Sequence, residues 1–179
     1  YSVNLFDHER REGIYWVQNS QVLPYWVLAS PLRTLFHWWM EANGGQLVHA
    51  AAMGVGDEAL LIVGKGGLGK SSTALTCLDQ GLQFLGDDYV IVKTDPVPTV
   101  HSLYATAKLN RWDIDKFASF RPHLHKTEVP EDEKAVLFLD GPDFRSRLRL
   151  EMPIAAIAVP RVVDRGEARF VPEAGPVIQ

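Results

Sequence analysis

Hydrophobic residues recur along the chain with helical spacing in two places. Between Ser30 and Gly44 they repeat every three to four positions, which places them on one face of a helix. These apolar residues are Leu32, Leu35, Phe36, Trp39 and Met40. We predict an amphipathic helix with Ser30 as its N-cap and Pro31 in its first turn. A second helix is predicted over residues 71–80, with Gly81 as its C-terminal cap.

Short apolar runs bounded by turn residues predict strands elsewhere. Residues 46–54 and 59–63 form a predicted antiparallel hairpin that turns about Gly56, and residues 82–86 return as a strand after the second helix. Further strands are predicted at residues 89–92, 100–104, 135–139 and 154–159. We therefore predict an α/β fold, a compact domain with a mixed central sheet and flanking helices.

The charge and composition exclude several classes of partner and environment. A net charge of −4 at pH 7, with no strongly basic stretch, predicts neither nucleic-acid binding nor binding to an anionic membrane. No apolar run is long enough to span a bilayer, and the single Cys77 cannot form an internal disulfide. We expect a cytoplasmic protein and leave a homo-oligomer open. Because the first residue is Tyr1 rather than Met, we also expect the chain to be a piece of a longer protein.

The most specific motif of the chain lies between a predicted apolar strand and a predicted helix. Residues 64–71 read GKGGLGKS, a full match to G-x-x-x-x-G-K-[ST]. Its glycines allow backbone N–H groups to wrap phosphate oxygens, and the helix points its positive N-terminus at the same place. We predict a nucleoside triphosphate site in which Lys70 reaches the β- and γ-phosphates and Ser71 binds Mg²⁺. The predicted nucleotide-binding residues are Gly64, Lys65, Gly66, Gly67, Leu68, Gly69, Lys70, Ser71 and Ser72.

Two adjacent aspartates are predicted to lie beside this loop. A helix of about 15 Å leads away from Lys70 and a strand of about 17 Å returns, which brings Asp87 and Asp88 back to the phosphates. In an extended segment their side chains face opposite ways, so one carboxylate can serve Mg²⁺ while the other accepts a proton from an incoming hydroxyl. Alternatively, the pair only turns the chain before the next strand.

His49 is also predicted to lie near the loop. If the hairpin turns about Gly56, His49 is opposite Val63, where the second strand enters the glycine-rich segment. A neutral imidazole there can hydrogen-bond an aspartate and orient it. The alternative is a half-buried histidine whose hydrogen bonds go to the backbone.

These positions suggest how the chain is organised. We predict one domain over residues 1–179, because a chain of this length with 46% hydrophobic residues can bury a core. Residues 46–92 form the nucleotide-binding and catalytic core, and residues 1–45 form an N-terminal cover. Residues 121–134 are charged and contain prolines, so we predict a mobile loop there.

Four segments, taken in order, resemble the catalytic domain of HPr kinase/phosphorylase and its relatives. They are VHA at 48–50, GKGGLGKSSTAL at 64–75, GLQFL at 81–85 and GDD at 86–88. The resemblance implies a compact P-loop kinase domain of the HPr kinase and phosphoenolpyruvate carboxykinase type, which phosphorylates a protein serine with ATP and Mg²⁺. It implies an active centre that contains His49, with Lys70 and Ser71 holding nucleotide and Mg²⁺. Asp87 is favoured as the base on the acceptor hydroxyl, which leaves Asp88 with Ser71 as metal ligand.

The chain also departs from that family. The bacterial HPr-phosphorylating enzymes carry a downstream Glu-Ile-Arg-Gly-Leu-Gly type sequence, whereas residues 102–109 here read SLYATAKL. HPr itself and the reverse phosphorylase reaction are therefore not implied. This segment, together with LVHAAAM at 47–53 and SPLR at 30–33, is similar instead to HPr-kinase-like proteins encoded with peptide-modifying clusters, including those that phosphorylate lasso-peptide precursors.

We therefore expect an ATP- and Mg²⁺-dependent kinase that acts on a serine of a peptide or protein, in peptide natural-product maturation. Two alternatives keep the same nucleotide site. One is a kinase for a small-molecule hydroxyl, and the other is a nucleotide-sensing module that binds a partner without acceptor chemistry.

Other polar residues have two interpretations each. Lys108 either contacts phosphate or an acidic substrate, or is solvated. Three arginines alternate along a predicted strand, either as a clamp for phosphate or an acidic peptide, or as a solvated face; they are Arg145, Arg147 and Arg149. His123 and His125 lack ligand spacing to a cysteine or carboxylate, so no metal site is predicted there.

Overall fold

The computed structural model describes residues 2–126, 128–161 and 169–172. Within these ranges the chain forms eleven strands, four α-helices and two 3-10 helices. The strands are β1 Ser2–Asp7, β2 Glu12–Val17, β3 Gln46–Val48, β4 Ala50–Val55, β5 Glu58–Val63, β6 Gln83–Gly86, β7 Val90–Lys93, β8 Thr99–His101, β9 Thr106–Asn110, β10 Lys134–Phe138 and β11 Glu151–Ala158. The α-helices are α1 Tyr25–Ala29, α2 Arg33–Glu41, α3 Lys70–Asp79 and α4 Pro142–Arg145, and the 3-10 helices are Ser20–Val22 and Arg111–His123.

A mixed sheet of seven strands forms the centre of the molecule, in the order β3-β7-β8-β11-β5-β4-β6. β11 runs parallel to β5, and the other neighbours are antiparallel. β9 pairs with β10, and β1 with β2, in separate two-stranded sheets. α3 contacts β4, β6 and β9, while α2 contacts β3. The predicted mixed α/β fold with flanking helices is confirmed.

The central sheet curls so that its two ends approach each other. β3 is at one end of the strand order and β4 lies next to the other end, yet the single residue His49 joins them. The Cα atoms of the residues on either side of a single linking residue can be at most about 7 Å apart. The curl therefore places His49 at a seam between the two ends of the sheet.

Hydrophobic clusters cover both faces of β4 and β5. In β4, Ala51 and Met53 join the cluster beneath α3, and Ala50 and Ala52 join the cluster on the opposite face. All four are at most 1% exposed. This alternation follows from strand geometry, in which successive side chains point to opposite faces. The two strands that lead into the glycine-rich loop are thus anchored from both sides.

Two predicted strand features differ in the structure. The predicted strand 46–54 is broken at His49, because its first part pairs with β7 and its second part with β5 and β6. The hairpin turns at Gly56 and Asp57, so Ala50 rather than His49 is opposite Val63. The prediction for His49 was wrong by one residue, and His49 still lies where the hairpin meets the loop.

The predicted helix start at Ser30 and Pro31 was wrong. Ser30 ends α1, Leu32 has a left-handed backbone with φ of 57°, and α2 begins at Arg33. The local signal was a serine followed by a proline, which is a common start of a helix. In the folded chain these residues form a break between two helices instead.

Two long-range hydrogen bonds hold that break. The Thr106 hydroxyl donates to the Ala29 carbonyl at 2.6 Å, and the Tyr104 hydroxyl donates to the Pro31 carbonyl at 2.7 Å. Both donors lie more than seventy positions further along the chain. They satisfy carbonyls that would otherwise lack a helical partner at this point.

The predicted strand with three aligned arginines was also wrong. Arg145 ends α4, and the chain then turns. Arg147 donates from Nη1 to the Leu78 carbonyl at 2.7 Å, near the C-terminus of α3, and Arg149 donates to the carbonyls of Ser146 and Leu148. These arginines therefore stabilise the fold, Arg147 at the negative end of a helix.

Both ends of the segment predicted to be mobile carry regular structure. Arg121 to His123 complete a 3-10 helix, Leu124 bridges to Leu137, and Lys134 opens β10. Thr127 lies outside the described residues, and mobility of residues 121–134 stays a prediction. Among the described residues, no helix is both long and apolar enough to cross a membrane.

Candidate active site

The glycine-rich loop joins β5 to α3 and presents its backbone to open space. Gly64, Gly67 and Gly69 have φ angles of 141°, 84° and 90°, which L residues with side chains rarely adopt. A Cβ built at Gly66, Gly67 or Gly69 would meet no atom within 4 Å. A ligand can therefore approach the loop backbone closely, next to the N-terminus of a helix of 10 residues.

Lys70, the first residue of α3, folds its side chain back into this loop. Its ammonium donates to the carbonyls of Gly64 at 2.7 Å and Lys65 at 3.1 Å. Burial lowers the pKa of Lys70 from its usual value, while the negative charges of Asp87 and Asp88 oppose that shift. An ammonium has three N–H donors, so among the described residues one donor remains for an anion at the loop. Ser71 and Ser72 occupy the same first turn of α3.

Asp87 follows β6 and is 1% exposed. Its Oδ2 accepts a hydrogen bond from the Lys108 backbone N–H at 3.2 Å, and its Oδ1 has no partner among the described residues. Burial raises the pKa of this carboxyl, and the nearby Ser71 hydroxyl and the Lys108 amide oppose the rise. A buried carboxylate oxygen without a partner, beside a serine hydroxyl, has the donor chemistry that Mg²⁺ prefers.

Asp88 points to a different set of partners. Its Oδ1 lies 3.3 Å from His49 Nε2, its Oδ2 lies 2.7 Å from the Lys108 ammonium, and the Ser30 hydroxyl donates to Oδ2 at 3.4 Å. Its side chain is 13% exposed. The two aspartates diverge as predicted, but the reason is different, because Asp88 has a φ of 70° in a turn rather than an extended strand.

His49 lies between Asp88 and an aromatic ring. Its imidazole stacks on Tyr89 with ring centroids 5.4 Å apart. Burial lowers the pKa of His49, and the positive charge of Lys70 lowers it further, against the opposing effect of Asp88. These effects favour the neutral imidazole, which carries one N–H donor and lies next to the Asp88 carboxylate.

A groove of about 370 Å³ opens beside this histidine. It is lined by Arg33, Thr34, His37, Leu47, His49 and Tyr89. Arg33 donates from Nη1 to the Tyr89 hydroxyl at 2.9 Å, and its guanidinium carbon lies 4.9 Å from the Tyr89 ring centroid. The groove therefore connects α2 to the residues around Asp88.

The structure brings the predicted site residues together and adds others. His49, Lys70, Asp87 and Asp88 lie in one cluster, and Lys108 joins it through both its backbone and its side chain. Ser30, Arg33 and Tyr89 belong to the cluster as well. Ser30 and Arg33 belong to the segment SPLR, which carried a family resemblance in the sequence but no predicted role at the site. Adjacency to the aspartate pair could have marked Tyr89. His123 pairs with Asp143 away from this cluster.

Comparison with known proteins gives a distant similarity to a solved structure. No family model matches the chain, and no curated protein matches it. Among solved structures, the chain is similar to the HPr(Ser) kinase/phosphatase from Coxiella burnetii, with a TM-score of 0.43 and 16% sequence identity. The match covers 64% of this chain and 64% of that chain. This is a distant structural relationship, and the function of the chain rests on the chemistry of its own site.

Proposed function

We propose that the chain is a kinase that uses ATP and Mg²⁺ to phosphorylate a serine hydroxyl of a peptide or protein. The observation that carries the proposal is the placement of two aspartates with different environments around Lys108, both close enough to Lys70 for their charges to oppose the lowering of its pKa. Phosphoryl transfer needs a phosphate-binding loop, groups that hold a metal and a base for the acceptor hydroxyl. The cluster supplies a candidate for each.

The loop and α3 are the proposed phosphate site. The backbone of Gly66 to Gly69 is open to a ligand. Two loop carbonyls hold the Lys70 ammonium in place, and its third N–H donor remains for a phosphate oxygen. Ser71 and Asp87 are the proposed residues for Mg²⁺, because Asp87 has a buried Oδ1 without a partner among the described residues and its carboxyl lies near the Ser71 hydroxyl. The bound ion supplies positive charge that offsets the charge on the phosphate oxygens.

Asp88 is the proposed general base. It contacts His49, which lines the groove together with Tyr89. Asp87, by contrast, is enclosed and out of reach of an acceptor hydroxyl. The geometry thus favours the reverse of the sequence interpretation, which gave the base role to Asp87. The serine oxygen forms a bond to the γ-phosphorus, and the serine hydroxyl proton passes to the Asp88 carboxylate. At the same time the bond between the γ-phosphorus and the oxygen that bridges it to the β-phosphate breaks, and ADP leaves.

His49 and Lys108 position that base. His49 Nε2 lies 3.3 Å from Oδ1 of Asp88 and the Lys108 ammonium lies 2.7 Å from Oδ2, so each carboxylate oxygen has a partner. The groove beside them is lined by exposed residues such as Arg33 and His37. Sites for small molecules usually bury most of their ligand, so this open groove favours a segment of a peptide as acceptor.

The test is transfer of phosphate from γ-labelled ATP, with Mg²⁺, to a panel of serine peptides, with mass spectrometry of the products. We expect phosphoserine with the wild type and none with Lys70→Ala. Asp88→Asn is expected to reduce kcat by about 100-fold or more while nucleotide binding is retained. Asn is chosen because it tolerates the left-handed backbone at this position. Asp57→Asn, in the exposed β4–β5 turn, is the matched control and keeps wild-type transfer.

Three results would contradict parts of the proposal. Wild-type transfer by Asp88→Asn would remove Asp88 as the base. Phosphorylation of a metabolite panel with no peptide product would identify a small-molecule kinase. Bound ATP with no transfer to any acceptor would identify a nucleotide-sensing module.

A further inference from the structure

Arg33 differs in its partners from three other arginines of the chain. Arg10, Arg111 and Arg121 lie within 4 Å of carboxylates. Arg33 is exposed at the start of α2 and forms no ion pair with a carboxylate of any described residue. Its guanidinium instead bonds to the Tyr89 hydroxyl and lies over the Tyr89 ring. A guanidinium held over a ring keeps its remaining N–H donors directed outward, ready for a carboxylate.

The position of this guanidinium is fixed by the fold. The break before α2 is held through hydrogen bonds to the carbonyls of Ala29 and Pro31, four and two positions before Arg33. The Tyr89 ring that carries Arg33 also stacks on His49, which contacts Asp88. Arg33 is therefore held at a constant place relative to the proposed base.

The charge of the groove is complementary to an anionic ligand. Its lining contains one arginine and two histidines, and no acidic residue among those described. His37 lies 3.6 Å from the Glu41 carboxylate, so this pair adds no net positive charge to the groove. Burial lowers the pKa of His49, which favours its uncharged form. The positive charge that remains to attract a ligand is that of Arg33.

We propose that the groove binds the acceptor peptide through an acidic side chain near the phosphorylated serine, and that Arg33 determines this specificity. The proposal rests on the proposed function, because it places the acceptor serine at Asp88. Two rings, Tyr89 and His49, separate Arg33 from Asp88. An extended peptide covers such a distance in about four residues, at about 3.3 Å per residue, so the acidic residue lies within about four positions of the serine.

The experiment uses fluorescein-labelled serine peptides in which one position, from four before to four after the serine, carries Glu, Gln or Lys. Transfer of labelled phosphate gives kcat/KM, and fluorescence anisotropy gives peptide affinity without any need for turnover. At the preferred position, the wild type is expected to favour Glu over Gln by about fivefold or more in both measurements. Arg33→Gln should bring that ratio to about one, and Arg33→Glu should favour Lys. Arg10→Gln, on the β1–β2 turn, is the matched control and keeps the wild-type ratio.

The reversal by Arg33→Glu separates recognition from a purely structural role, because a destabilised groove would weaken all peptides alike. Equal affinity of the wild type for Glu and Gln peptides at every position would overturn the inference, as would a Glu preference that survives in Arg33→Gln. Loss of ATP binding in Arg33→Gln would also overturn it and assign Arg33 to the nucleotide. If no peptide is phosphorylated but an Arg33-dependent Glu preference in affinity remains, the groove stands and the kinase function fails.

Discussion

At the scale of single residues, Asp87 shows the cost of building the site. Its carboxylate is buried, one oxygen is paired to a backbone amide and the other is unpaired among the described residues. An ionised carboxylate in such surroundings destabilises the folded state unless a cation compensates for it. The same destabilisation of the charged form raises the pKa of Asp87 in the folded state.

Asp87→Asn is therefore expected to stabilise the protein at pH 7 when Mg²⁺ and nucleotide are absent. Because the folded pKa lies above the unfolded value, the wild-type carboxyl favours the folded state below the unfolded pKa, and that contribution is lost as the pH rises through the folded pKa. The variant does not titrate, so its advantage is largest at neutral pH and shrinks in acid. We expect a melting temperature about 3 °C or more above the wild type at pH 7, measured by differential scanning fluorimetry.

Addition of Mg²⁺ and nucleotide should reverse the order of the two proteins, since the variant loses a proposed metal ligand. Asp57→Asn serves again as control and should leave the melting temperature unchanged. A lower melting temperature for Asp87→Asn at pH 7, or a difference that does not change with pH, would contradict the account of Asp87.

At the scale of elements, the break between α1 and α2 connects the core to the acceptor side of the site. Thr106 is 8% exposed and donates to the Ala29 carbonyl, which lies just before Ser30 in the chain. Ser30 contacts Asp88, and Arg33 begins the next helix. The break thus contains Ser30 and ends at Arg33, two residues of the site, and a hydrogen bond from β9 holds it in place.

Thr106→Val keeps the shape of the side chain and removes the donor, so it leaves the Ala29 carbonyl without that hydrogen bond. We expect the free energy of unfolding to fall by about 1–3 kcal/mol, measured by urea denaturation. Thr99→Val is the matched control, because the Thr99 hydroxyl donates to a carbonyl two residues away at an exposed position. If the two substitutions lowered the free energy of unfolding equally, the hydrogen bond from Thr106 to Ala29 would contribute no more to stability than an exposed local one.

Elements with complete local signals were predicted from the sequence, and elements set by distant contacts were not. α3 ends as predicted at a left-handed Gly81, with hydrogen bonds from Gly81 to Leu78 and from Leu82 to Cys77. The start of α2 was wrong because hydrogen bonds from β9 and the preceding segment overrode the serine–proline signal. The sequence also indicated the approach of Asp87 and Asp88 to Lys70, but not the backbone turn that separates their environments.

At the scale of the whole molecule, stability is distributed unevenly. β4 and β5 are covered on both faces and flanked by strands on both sides. β1 and β2 pair only with each other among the described strands, and one face of their hairpin is open to solvent. The exposed residues of that face are Val3, Leu5, Ile14 and Trp16.

Hydrogen exchange measured by mass spectrometry should reflect this difference. We expect amides of β1 and β2 to exchange at least about 100-fold faster than those of β4 and β5, because a two-stranded hairpin opens without unfolding the core. Comparable protection in the two pairs of strands would mean that the hairpin and the central sheet unfold as one cooperative unit.

The segment that follows α4 has a consequence for how the sheet can meet other chains. Phe84, on the outer strand β6, donates its backbone N–H to the Arg147 carbonyl and accepts from the Arg149 N–H. An open strand edge is a template on which a foreign peptide or a second copy can extend the sheet, largely irrespective of sequence. Here the backbone of Arg147 and Arg149 occupies the hydrogen-bonding groups of this edge at Phe84. β6 is therefore protected from edge-to-edge aggregation at this point.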